Sequence, residues 1–181
     1  RSPRTGVGST EKAMYYSSPI ARSPVTHADA RSRRRFLYRL FFYAFALRWI
    51  VATLLNLTDA IGELRLSPDS ERYDYVGETI AREMEGGDFN WPNWIDNGWF
   101  QFTGFVYFIF GPNPYLMQMV NALLGSLTPI VVYFVVLRAF KVERPARLTA
   151  ILTAFFPSFV YWSCLMLKDP LSILAVSCTA L

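Results

Sequence analysis

The chain alternates long apolar runs with short charged stretches, and the run lengths carry the first structural information. Phe36 to Thr58, "FLYRLFFYAFALRWIVATLLNLT", and Tyr115 to Leu137, "YLMQMVNALLGSLTPIVVYFVVL", both reach the roughly 20 residues that a helix needs to cross a bilayer. Leu148 to Leu167 belongs to the same class, and a further apolar run opens at Leu171 after Lys168-Asp169-Pro170. Trp99 to Phe110 lies between Asn97-Gly98 and Gly111-Pro112; its shortness predicts a re-entrant or interfacial helix rather than a span. Pro129 should kink the second long run. Arg48 is costly in mid-span, so it should face protein or water; packing or snorkelling would be its plain structural role.

Between the first two long runs the pattern changes. Ser67, Pro68 and Asp69 read as an N-cap, a first helical position and an acid in the first turn, and Gly86-Gly87 reads as the stop. Tyr73, Val76, Ile80 and Met84 recur at steps of three and four, with Glu71, Asp74 and Glu78 on another face. This amphipathic helix should lie along the bilayer surface, continued by the Trp-rich "NWPNWIDNGW".

Charge adds an orientation. Of 181 residues 52% are hydrophobic, and the net charge of +4 averages over two opposed regions. Residues 1–35 carry eight basic residues against Glu11 and Asp29, while residues 59–98 carry ten acids against Arg65, Arg72 and Arg82. The Ser-, Pro- and Arg-rich segment 1–35 predicts a disordered basic tail. Its "RSRRR" could bind nucleic acid, but a basic cluster before an apolar run more commonly marks a cytoplasmic flank, so no nucleic-acid partner is expected. It is not a cleaved signal, because the apolar run is too long and lacks a small-residue cleavage pattern. If Trp99–Phe110 does not cross, the basic loop 138–147 is also cytoplasmic, and the acidic loop shares the outer face with Lys168-Asp169. The positive-inside rule and the shortness of that run agree on this topology.

The expected organisation is therefore an all-α polytopic membrane fragment. A tail over 1–35 leads into transmembrane helix 36–58. An extracytoplasmic loop with juxtamembrane helices follows over 59–114, then spans 115–137 and 148–167 around the loop 138–147, with a fourth span beginning in 168–181. The chain opens on Arg1 and stops at Leu181 inside an apolar run, which suggests part of a longer protein, inactive alone. Cys164 and Cys178 lie in apolar runs without metal-ligand spacing and read as buried free thiols. The sole histidine, His27, sits in the polar tail, which argues against a His-based metal or triad site.

Chemistry points to two acids. Each has a plain explanation: Asp69 complements a helix dipole, and the Glu71/Asp74/Glu78 face is solvated. Yet Asp69 follows the first span closely, and Asp169, flanked by Lys168, stands at a helix end on the same expected face. Two carboxylates and a cation meeting at a bilayer surface can hold a divalent ion (Mg, Mn or Zn) with a phosphate, or supply a general base.

"PDSERYDYVGETIAREMEGGDF" resembles the first extracytoplasmic loop of the polyprenyl-phosphate-sugar-dependent membrane glycosyltransferases of GT-C type. These include the protein O-mannosyltransferases and the lipid A aminoarabinose transferase, whose pattern is Pro-Asp-Glu-x-Arg-Tyr. Pro68, Asp69, Arg72, Tyr73, Arg82, Glu83, Met84, Gly87 and Asp88 fit it. "FGPNPYLMQMVNALLGSLT" and "AILTAFFPSFVYWS" leading to an Asp extend the likeness across residues 36–181. The resemblance implies that Asp69 is the catalytic acid and Asp169 the second acid, both candidate metal ligands, with Arg72 and Lys168 contacting phosphate. It also implies a polyprenyl-phosphate-linked sugar as substrate, the bilayer as environment and a cell-membrane location with the N-terminus cytoplasmic. Ser70 stands where the pattern has Glu, and "NGWFQF" replaces a Glu-Lys-Pro-Pro stretch, so the aminoarabinose specificity does not transfer. Two rivals remain at this level: a transporter or flippase of lipid-linked sugars, and a non-catalytic membrane scaffold.

Overall fold

Helices form where the apolar runs and caps place them, with one exception that shapes the site. The computed structural model describes residues 27–60, 68–87 and 98–181. The chain divides into two units, Arg1–Arg34 and Arg35–Leu181, and the packing below is that of the second. Among the described residues there are seven helices and no strands: α1 His27–Ala60, α2 Pro68–Gly86, α3 Gly98–Phe110, α4 Pro114–Phe140, α5 Glu143–Phe155, α6 Pro157–Trp162 and α7 Asp169–Thr179. Residues 1–26, the Ser67 cap and most of the Trp-rich stretch lie outside the described residues, as does Asp88. Helix α1 begins at His27, inside the segment expected to be a disordered tail; Ala and Arg are strong helix formers and extend it upstream of Phe36.

Helices α1 and α4 are long and apolar enough to cross a membrane. Along α1, Phe42, Trp49, Ile50, Leu54 and Leu57 are exposed, an apolar surface suited to lipid. Helix α3 has 13 residues, about 20 Å of rise, which falls short of a hydrocarbon core of about 30 Å. It packs instead against α2. That contact is close because glycines face it. A Cβ on Gly104 would lie 2.3 Å from Ile80 Cγ2, and one on Gly77 would lie 2.4 Å from Thr103 Cγ2. Gly104→Ala should therefore push α2 and α3 apart and cost roughly 1–3 kcal/mol. Gly98→Ala, where nothing lies within 4 Å, should change stability by less than about 0.5 kcal/mol. Thermal melts of the two variants in detergent check this; equal melting points would refute the close packing.

Helix α4 starts at Asn113, whose side chain accepts from Leu116 N–H at 3.2 Å, with Pro114 at the first turn. It ends at Lys141, held in the left-handed region at φ 56° with its N–H on Leu137 O at 2.8 Å. The expected loop 138–147 thus shrinks to the residues between Phe140 and Glu143. Glu143 accepts from Arg147 at 2.9 Å and from Tyr133 at 3.1 Å, and Arg147 lies over the Phe36 ring. Ala146, Ala150 and Ala154 form a small-residue stripe on α5 that shares a core with Leu40 and Ala44 of α1 and Tyr133 of α4.

The exception is residues 148–167, which the sequence presents as one apolar run. The helix breaks at Phe156, whose ψ of 117° is extended, because Pro157 has no N–H to give and restricts the residue before it. Helix α6 then lasts six residues, and Ser163–Lys168 form a non-helical turn into α7. Cys164 is buried as expected, but Cys178 is exposed on α7, because among the described residues that face of the helix has no neighbour packed on it.

Candidate functional site

A charged side chain explains how the break is tolerated. Arg48 of α1 is fully buried and faces protein, not lipid. Its Nη1 donates to Ala154 O at 3.0 Å, and its Nε donates to Ser163 Oγ at 2.9 Å. The guanidinium also lies 5.2 Å from the Phe159 ring centroid. A broken helix leaves carbonyls without partners, which membrane interiors do not tolerate. Arg48 supplies one partner and ties the end of α5 to the turn after α6.

The acidic helix faces this turn from the other side of one core. Tyr73 and Ala81 of α2, Trp99, Val106 and Tyr107 of α3, Met117 of α4, and Leu165, Met166 and Leu167 of the turn are buried in a single cluster. Tyr73 stands edge-on to Trp99, with ring centroids 6.4 Å apart. At the centre of the cluster the Tyr107 hydroxyl donates to Asp74 Oδ1 at 2.5 Å and lies 3.9 Å from Met166 Sδ. Burial first, and the hydrogen bond to Asp74 second, push the Tyr107 phenol well above its ordinary range, so it remains a donor at any neutral pH. Tyr107 thereby links the acidic helix to the turn that precedes Lys168-Asp169.

The four candidate residues are all solvent-exposed. Asp69 is in the first turn of α2, where the helix dipole favours a carboxylate. Arg72 is one turn on, its guanidinium 5.7 Å from the Phe100 ring centroid. Lys168 caps α7, and Asp169 is in its first turn. Asp169 also lines a groove of about 360 Å³ with Ser158, Phe159, Trp162 and Ser172. Aromatic faces beside a carboxylate and hydroxyls suit an amphipathic ring with hydroxyl groups better than a bare lipid tail. Among the described residues no group of three or more His, Cys, Asp or Glu side chains is assembled to hold a metal ion. A cation here would have to draw ligands from substrate phosphate.

Tyr107, Asn121 and Ser163 were not singled out from the sequence, and Asp74, read there as part of a solvated face, accepts a hydrogen bond from Tyr107. Each had a faint signal. Asp74 stands beside the apolar stripe of α2, and Asn121 and Ser163 are polar positions inside apolar runs.

No curated protein and no solved structure matches the chain. Residues 98–181, just under half of it, match the model of a family described as dolichyl-phosphate-mannose-protein mannosyltransferase. The matched segment holds α3 to α7, including the broken helix, the turn and Asp169. Over those residues the chain is similar to that family, and helices α1 and α4 are long and apolar enough to cross a membrane.

Proposed function

We propose that this chain carries the outer-face site of a glycosyltransferase that moves a sugar from a polyprenyl phosphate to an acceptor hydroxyl. Mannose and protein are the sugar and acceptor in the description of the matched family; we extend both to this chain, with a protein hydroxyl as the attacking group. Asp69 is the general base: it removes the acceptor proton as the acceptor oxygen attacks the anomeric carbon. The bond from that carbon to phosphate oxygen breaks, and the lipid phosphate leaves with the electron pair. Arg72 and Lys168 stabilise the charge that grows on the departing phosphate. Asp169, which lines the aromatic groove, orients sugar hydroxyls. A divalent ion, where one takes part, would bind Asp69 and Asp169 and complete its ligands from phosphate oxygens and water.

The observation that carries this reading is the shared core: the helix bearing Asp69 and the turn bearing Lys168 and Asp169 pack into one cluster through Tyr107. It supports a site on a single bilayer face, and the basic residues before α1 and around the α4–α5 turn support a cytoplasmic side for both in the cell membrane. Single cysteines at 69, 143 and 169, tested with a membrane-impermeant thiol reagent, check that topology. Labelling of 69 and 169 from outside, with 143 protected, is the expected pattern. Labelling of 143 from outside would reverse it.

A further inference from the structure

We propose that Asn121 is a positioning residue for Lys168 and Asp169, acting through the turn that precedes them. The inference rests on the reading of Asp169 as part of the transfer site. Asn121 is fully buried in α4, in a run that is otherwise mostly apolar. Its side-chain Nδ2 donates to Leu165 O at 2.6 Å and to Leu167 O at 2.8 Å. Carbonyls can only accept, so the amide orientation follows from its partners, and both of its N–H groups are committed.

The turn needs this clamp for a physical reason. Residues between Ser163 and Lys168 lie outside any helix, so their carbonyls have no regular ladder to join. Leu165 O accepts one local bond, from Leu167 N–H at 3.0 Å. The side chains of Leu165, Met166 and Leu167 anchor the segment in the core, but apolar packing alone does not fix where the backbone points. Two hydrogen bonds from one rigid amide do. One helical turn further along the same face of α4, Gly125 leaves room for the start of the turn: a Cβ there would lie 2.6 Å from Ser163 Cβ. Asn121 and Gly125 together form the seat from which Lys168 and Asp169 emerge into solvent.

A leucine at 121 would suit a membrane helix and nearly preserve the volume, yet it would take the Asn121 donor from Leu167 O and leave Leu165 O with its local bond from Leu167 N–H alone. Asn121→Leu, Asp169→Asn and the double variant, assayed for sugar transfer by the enzyme in its membrane, separate positioning from bulk stability. Asn121→Leu should lower kcat by on the order of tenfold to a hundredfold, the scale of a misplacement of about 1 Å. In the Asp169→Asn background it should lower kcat by less than it does in the wild type, because one of the two groups it positions is already disabled. Losses that multiply in the double variant would overturn the proposal. A second measurement is independent of Asp169 chemistry: the thiol-labelling rate of Lys168→Cys in a Cys178→Ser background. Asn121→Leu should change that rate severalfold and Asn121→Gln, which keeps both donors, should change it less; an unchanged rate with Asn121→Leu would also overturn the proposal. Should Asn121→Leu fail to accumulate, Asn121→Ser, with one donor, carries the same two readouts. Wild-type transfer by Asp169→Asn would remove the role assigned to Asp169, while the labelling rate still decides whether Asn121 sets the turn.

Discussion

Asp69→Asn is expected to lower sugar transfer by about 10²–10⁴-fold, the range contributed by a positioned general base, while the protein inserts and folds normally. The substitution keeps the shape and removes the negative charge and the basicity. Asp69 is exposed in the first turn of α2, so among the described residues the structural loss is a dipole contact worth about 0.3–1 kcal/mol. Asn is itself well tolerated near a helix start. The assay is release of labelled sugar from polyprenyl-phosphate-mannose in vesicles holding the enzyme, read beside the thermal melt. Full activity in the variant would remove Asp69 from the chemistry. If wild-type vesicles carried the intact lipid-linked sugar across and released none, the transporter reading would replace transfer altogether.

Arg48→Met should give the largest loss of stability among single substitutions in the α1–α4–α5 region. The loss is not the sum of its three hydrogen bonds, the third of which runs from Arg48 Nη1 to Ala44 O at 3.1 Å. Ser163 Oγ keeps its bond to Val160 O at 2.9 Å, and Ala44 O lies within a helix. The group left stranded is Ala154 O, at the end of α5 where Pro157 prevents a replacement. An orphaned buried carbonyl costs about 1–3 kcal/mol, and imperfect refilling of the guanidinium volume adds about another 1 kcal/mol. The expected destabilisation is thus about 2–4 kcal/mol, read as a lowered melting point in detergent. Arg48→Lys should recover only part of it, since one ammonium cannot reproduce the fork from Ala154 O to Ser163 Oγ. A melting point for Arg48→Met within error of the wild type would show that the broken helix is held by other contacts.

Both predictions depend on features with different visibility in the sequence. The α2 boundaries were legible because Pro68 and Gly86-Gly87 act locally, through a fixed φ and a permitted left-handed stop; Gly87 takes φ 76°. The span at α4 was legible from length. The break at Phe156 was not inferred, although Pro157 was in view. A Pro can kink a helix or end it, and the outcome depends on whether a neighbour can satisfy the freed carbonyls. That neighbour is Arg48, more than a hundred residues away in the chain. The glycines at 77 and 104 likewise read as unremarkable helix residues until α2 and α3 are placed face to face.

By itself the sequence determined which segments are apolar enough to leave water, where local caps start and stop helices, and which acids stand outside the apolar runs. Those properties depend on neighbouring residues alone. Only the tertiary structure decided that Arg48 and Asn121 serve a broken helix and its turn, and that Tyr107 joins Asp74 to the segment before Asp169. The reason is that a buried polar group must find its partner wherever the fold brings one, and no spacing along the chain encodes that distance.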